Sequence, residues 1–356
     1  MFSRSGNFYF KKDVSVFLAF CYAFSTISWP FATYLFQSDV SALFDLISVY
    51  LVIKIDRSNN MENTRDLTWP LLCGLALACG VVVDYVNGVL IPIFVLYLLA
   101  SLRNKNPQLL TKSLVAFLFG SVFVTFTLLG GYNYLSFGNV FVSSEQLYLH
   151  SSSIFGNFSF PVDLGIVLNL FTPMRGLFFF SPILILGSWG LWKMMRDPKV
   201  DRDSFLFLST FLGILGLYSA WYDPTGGLSF GPRLIISSIP FILIPAGFVI
   251  SNANGKHTYT FVYLLYATGV VVNGVAALVG VLAPPSNNWL TSPLLSYTVP
   301  TFVSGNLDIW WKSYAGNSSM LVAAVILGCA LLIPMVCSYL AERSTRLRNV
   351  EIETPV

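Results

Sequence analysis

The chain has 356 residues, of which 55% are hydrophobic and only 10% charged. A soluble domain carries about 25% charged residues, so this composition and a mean hydropathy of +0.70 exclude an ordinary water-soluble protein. The net charge of +3 is small and its basic residues form no nucleic-acid-type patch, which argues against a nucleic-acid partner.

In chain order, the first residues, through Asp13, are polar and read as a cytoplasmic lead-in. Apolar runs follow at 14–35, 39–55, 67–83, 88–102, 112–134, 177–196, 205–222, 234–251, 258–282 and 319–340. A membrane-spanning helix needs about 20 predominantly apolar residues, so the expectation is an all-α, polytopic bundle of about ten helices. Trp29-Pro30 lies inside the first run and predicts that its outer third is kinked or re-entrant. The charge alternation sets the orientation. With the N-terminus inside, all but three of the 20 basic residues fall in internal segments. These include Arg4, Lys11 and Lys12; Lys54, Arg57 and Arg65; Arg103, Lys105 and Lys112; Lys193, Arg196, Lys199 and Arg202; Lys256; and Arg343, Arg346 and Arg348. The exceptions are Arg175, Arg233 and Lys312. The expectation is a multi-pass integral membrane protein, in a cell membrane or an ER-type membrane, with both termini cytoplasmic. It has one membrane domain over 1–350 and a cytoplasmic tail at 351–356. External loops are expected at 135–176, 223–233 and 283–318, the first and last holding the sequons at Asn157 and Asn317.

The five cysteines lie in apolar runs and do not read as a disulfide framework. His150 and His257 are far apart, no zinc spacing occurs, and there is no nucleotide-binding loop. No cofactor is evident, and the sequence gives no support to a divalent metal.

Chemistry is therefore sought among external and intramembrane charges. Asp39, Asp45, Asp84, Glu145, Asp163, Asp223 and Asp308 are the acidic residues there. Asp39 opens the second helix, where a solvated N-cap is the simpler account. Asp45 lies six residues deeper, roughly 9 Å at 1.5 Å per residue, and a helix–helix hydrogen bond would explain it. Asp84 ends the third helix, just before Tyr85, where a structural role competes with a functional one. Arg175 (Thr-Pro-Met-Arg-Gly) and Arg233 (Phe-Gly-Pro-Arg) each precede an apolar helix, where a guanidinium can bind phosphate bidentately or snorkel to headgroups. Trp221, Tyr222, Trp289, Trp310 and Trp311 read as an aromatic belt or as a sugar-stacking surface.

Several motifs resemble the GT-C superfamily of multi-spanning glycosyltransferases. They are Ser28-Trp29-Pro30-Phe31-Ala32 followed by Asp39; Asp84-Tyr85 after a glycine-rich helix; Tyr132-Asn133-Tyr134 with Phe137-Gly138; Arg175-Gly176-Leu177-Phe178 with Ser181-Pro182; and Gly226-Gly227 through Ser229-Phe230-Gly231-Pro232-Arg233. The chain is most similar to the group around dolichyl-phosphate-mannose protein mannosyltransferases and aminoarabinose transferases. The resemblance implies transfer of a sugar from a polyprenyl-phosphate carrier to an acceptor on the external face. It implies Asp39 as the catalytic residue, a base or a metal-side acid, and a substrate-binding set of Arg233, Arg175, Asp84, Tyr85, Gly226 and Gly227. Membrane lipids and the carrier are the implied partners.

The family's first helix and acidic first external loop have no counterpart before Asp39. A partner polypeptide supplying them, a truncated product, or a non-catalytic relative are the expectations this raises. The reading leans toward an enzyme, a hexosyltransferase using a lipid-phosphate sugar. A non-catalytic lipid-phosphate-binding subunit is the alternative. A transporter or flippase using Asp45 and Asp84 as ion or proton sites is a third reading, though no discontinuous helix pair recurs in two halves.

Overall fold

The computed structural model describes residues 9–34, 36–57, 67–103, 107–148, 154–253, 256–284, 288–307, 319–334 and 336. Arg4, Arg65, Lys105, His150, Asp308, Trp310, Trp311, Lys312, Asn317, Cys337, Arg343, Arg346, Arg348 and the tail 351–356 lie outside the described residues. Among the described residues every regular element is helical and no strand occurs.

Among the described residues five helices are long and apolar enough to cross a membrane: Tyr85–Leu102, Pro107–Phe137, Asp201–Ala220, Arg233–Ile250 and His257–Val279. They fall on the expected runs 88–102, 112–134, 205–222, 234–251 and 258–282. Runs 67–83 and 319–340 give shorter apolar helices, Thr68–Val83 and Ser319–Pro334. Run 39–55 gives one continuous helix, Gln37–Arg57, of 21 residues; its carboxylates and terminal cations set it apart from the five.

We label the main helices α1 (Lys12–Ser25), α2 (Gln37–Arg57), α3 (Thr68–Val83), α4 (Leu90–Leu102, entered through the 3₁₀ turn Tyr85–Val89), α5 (Pro107–Phe137), α6 (Val162–Phe171), α7 (Leu184–Met194), α8 (Asp201–Ala220), α9 (Arg233–Ile250), α10 (Lys256–Val279), α11 (Leu294–Val303) and α12 (Ser319–Pro334).

Runs 14–35 and 177–196 are each broken. The first breaks at Thr26, whose backbone is extended, and resumes as the short turn Ser28–Ala32. Pro30 sits in the first turn of that segment, where its missing N–H costs no hydrogen bond, so the interruption precedes the proline. The second run is helical over Leu177–Phe180, leaves helical geometry at Ser181, and resumes at Leu184. The two breaks meet: the Ile27 amide donates to Ser181 Oγ at 3.0 Å. Asn273 of α10 donates to the Phe180 carbonyl at 2.7 Å. Backbone groups freed by one interrupted helix are thus satisfied by its neighbours, as an apolar interior demands.

Glycines set the closest crossings. A Cβ on Gly187 of α7 would lie 2.0 Å from the Ile242 carbonyl, and one on Gly190 would lie 1.9 Å from that of Pro245. Small residues on one helix face let backbones approach this closely. Gly74 of α3 and Gly120 of α5 form a second such crossing. Helix α9 is the inner element, with 83% of its length buried, whereas α5 is only 22% buried. Phe119, Phe123 and Phe126 of α5 point outward, and two π-helical turns interrupt it at Phe119–Phe123 and Phe126–Gly130.

The loops expected at 135–176 and 283–318 hold apolar helices, α6 and α11. Helix α6 packs against α8, with Gly165 over the Ser219 carbonyl. Asn157 is 1% exposed, so the first sequon is folded into the bundle rather than displayed.

At one end of the bundle the C-terminus of α2 meets the N-terminus of α8. Asp203 accepts from Tyr9 at 2.8 Å, from Tyr97, and from Arg57, and Arg202 pairs with Asp56 at 3.2 Å. Lys54, Lys193 and Arg196 lie over Trp69, Trp189 and Trp192 respectively. The opposite end of α2 carries Asp39, and Phe36 just before it lies beside Arg233 at the start of α9.

Candidate functional site

The Asp39 end gathers the candidate residues from α2, the α3–α4 corner, the end of α8 and the start of α9. Their contacts assign them different tasks.

Arg175 is fully buried, at 0% exposure. Its Nε donates to the Thr225 carbonyl at 2.7 Å, Nη2 to that of Gly227 at 2.8 Å and Nη1 to that of Met174 at 3.2 Å. Thr172, at the end of α6, receives the Arg175 backbone amide on its hydroxyl at 3.2 Å. Burial lowers the guanidinium from 12.5 to about 10, with Asp223 opposing the shift, so it is charged at neutral pH. Its principal donors are spent on backbone carbonyls. Arg175 holds the 225–227 turn in place.

That turn has its own framework. Asp223 Oδ1 accepts from the Thr225 amide at 3.0 Å and from its hydroxyl at 2.5 Å. Gly226 and Gly227 both take positive φ, 70° and 66°, a region open to glycine but unfavourable for residues with a Cβ. At Gly226 space is also tight, since a Cβ would meet Arg233 Nε at 3.0 Å and the arginine would have to shift. The loop's other end is anchored by Phe230, fully buried edge-on against Phe180 at 4.7 Å. Its amide donates to the Val281 carbonyl at 2.8 Å.

Arg233 is the contrast. It is half-buried, its Nε is enclosed without a hydrogen-bond partner, and among the described residues its guanidinium makes no salt bridge. Its carbon centre lies 5.6 Å from the Phe36 ring centroid. Asp223, Tyr218 and Tyr222 are within electrostatic reach. The structure therefore presents one satisfied arginine and one with donors to spare, on either side of the same glycine turn.

Asp39 sits in the first turn of α2. Its Oδ1 accepts from Ser28 Oγ, and Tyr22 stands beside the same carboxylate. The Ser28–Ala32 turn thus sets the carboxylate's orientation.

Asp84 is engaged on both oxygens. Oδ1 caps the 3₁₀ turn through the Val86 amide at 3.2 Å, and Oδ2 accepts from Tyr218 at 2.5 Å. It ties the α3–α4 corner to the end of α8. Tyr85 packs obliquely beside Trp221, which also contacts Phe158 and Tyr222. These rings make an aromatic wall beside the arginine.

Tyr218, Phe36 and Tyr22 are part of this constellation and did not stand out in the sequence, whereas Ser28 opens the motif that precedes Asp39. Each of the three lies in or beside an apolar run, where one tyrosine or phenylalanine carries no local signal. Gly226, Gly227, Arg233 and Asp223 do stand out, because their loop is short and rich in glycine and proline. No family model, curated protein or solved structure matches the chain.

Proposed function

We propose that this is a multi-pass membrane protein of GT-C type whose Arg233 holds the phosphate of a polyprenyl-phosphate sugar at the external face. In this reading the bundle crosses the membrane about ten times, the five long helices being joined by shorter and interrupted ones. The basic end, with Lys54, Arg57, Lys193 and Arg196, is cytoplasmic. The observation that carries the reading is Arg233: a half-buried guanidinium with an unpartnered, enclosed Nε, beside an aromatic wall. A charged donor in that state favours an anion, and the planar fork suits phosphate.

Transfer would break the bond between the sugar's anomeric carbon and the carrier phosphate oxygen. The acceptor hydroxyl oxygen bonds to that carbon, its proton passes to the Asp39 carboxylate, and the phosphate leaves on the carrier, its charge met by Arg233. Arg175, Gly226 and Gly227 position Arg233. Asp84 and Tyr85 shape the wall from the α3–α4 corner.

The engagement of Asp39 by Ser28 and Tyr22 favours a second reading, a subunit that binds the lipid phosphate without transferring sugar. One experiment separates the two. Polyprenyl-phosphate binding and sugar release from a labelled lipid donor are measured in reconstituted membranes. Charged hydrogen bonds worth about 1.5–3 kcal/mol predict that Arg233→Ala weakens binding roughly 10- to 100-fold, with Arg233→Lys recovering part. Asp39→Asn should bind normally and abolish release. Equal binding by wild type and Arg233→Ala refutes both readings. Binding without release by the wild type selects the second.

A further inference from the structure

About two turns inward from Asp39, α2 carries a second carboxylate that the reading above does not use. Asp45 is 0% exposed, and both its oxygens lack a hydrogen-bond partner. It presses on α3 where there is no side chain: a Cβ on Gly80 would lie 2.8 Å from Asp45 Oδ1 and 3.7 Å from Asn87 Nδ2. Asn87, also fully buried, donates through Nδ2 to Ser41 Oγ and, at 3.3 Å, to the Gly80 carbonyl. Its Oδ1 is left without a partner. Ser41 lies one turn before Asp45 on α2, and its hydroxyl adjoins the Asp45 carboxylate.

The two Asp45 oxygens thus lie beside Gly80 and the Ser41 hydroxyl, where the Asn87 carboxamide also makes its contacts while its Oδ1 finds no partner. No lysine or arginine among the described residues pairs with Asp45. The neighbouring acid in electrostatic reach, Asp84, already accepts from Val86 and Tyr218. A buried carboxylate without a counter-charge is strongly disfavoured, and unpartnered buried polar atoms call for an explanation.

We propose that Asp45, Asn87 and Ser41 bind a monovalent cation of the sodium type between α2, α3 and the Tyr85–Val89 turn. The donors are hard oxygens, which suit an alkali or alkaline-earth ion rather than a softer metal. One carboxylate balances one positive charge, and a divalent ion would leave an excess charge in the apolar interior. The bound ion ties α2 to α3.

The test uses the full chain in detergent. Thermal unfolding is followed as sodium chloride replaces choline chloride at constant ionic strength, with potassium chloride as a parallel arm. Equilibrium binding of radiolabelled sodium is measured alongside. The wild type should show a saturable rise in unfolding temperature with sodium and bind about one ion per chain. Asp45→Asn should lose both responses, and Arg233→Ala should keep them. A wild type that binds neither sodium nor potassium overturns the proposal, whatever the fate of the variant. So does undiminished sodium binding by Asp45→Asn. Since Arg233 plays no part, failure of the phosphate-binding reading leaves this result unaffected.

Discussion

Replacing Arg175 with alanine tests the division of labour between the two arginines. The wild-type guanidinium makes hydrogen bonds at 2.7 and 2.8 Å to the carbonyls of Thr225 and Gly227, and a longer one at 3.2 Å to Met174. Hydrogen bonds from charged groups contribute about 1.5–3 kcal/mol each, so the two short bonds together represent roughly 3–6 kcal/mol. The lower end is appropriate, because the 225–227 turn lies at the end of the bundle and part of it relaxes toward solvent when released. A loss of about 3 kcal/mol corresponds to two decades in the opening equilibrium, at roughly 1.4 kcal/mol per decade. Amide hydrogen exchange reads this locally. The amides of Gly226, Gly227 and Phe230 are bonded to the Asp223 carbonyl, the Thr225 hydroxyl and the Val281 carbonyl. Their protection should fall about 100-fold in Arg175→Ala, while the interior of α9 beyond Ile239 changes little. Arg233→Ala, which removes no hydrogen bond, should leave these amides within about threefold of wild type. Unchanged exchange in Arg175→Ala, or an equal loss in Arg233→Ala, would refute the assignment of Arg175 as the clamp.

Asp203→Ala should lower stability by about 2 kcal/mol, because the buried carboxylate is the acceptor for three donors, one of them the partly exposed Arg57. It leaves Arg57 and the hydroxyls of Tyr9 and Tyr97 without their shared acceptor, and a fall in the unfolding temperature in detergent checks this. Gly190→Ala should destabilise by at least about 2 kcal/mol, because the added Cβ meets the Pro245 backbone oxygen and overpacking costs about 1–3 kcal/mol even where side chains can yield; an unchanged unfolding temperature would show that α7 and α9 separate freely. Asn157 should remain unglycosylated when the folded chain is expressed in a glycosylating host, since its side chain is buried; a mass shift at that asparagine in folded protein would contradict the packing of the 154–160 segment.

The composition and the long apolar runs were enough to read an all-helical membrane-type chain, because a segment of about 20 apolar residues carries its own signal. The five long helices lie where those runs lie. The glycine–proline loop before Arg233 was legible for a similar reason: positive-φ positions demand a residue type visible in the sequence. The interruptions at Thr26 and Ser181 were not, since an apolar sequence fits a continuous helix and a broken one equally well until neighbours such as Asn273 satisfy the freed backbone. Helices α6 and α11 escaped notice because ten apolar residues fall short of a membrane's thickness and read as loop. Arg175 and Arg233 look alike in sequence, each following a proline and preceding an apolar helix. Only the folded chain shows that Arg175 spends its donors on Thr225, Gly227 and Met174 while Arg233 keeps its own. Hydrogen-bond satisfaction is decided by residues some 50 positions apart, and no local pattern encodes it.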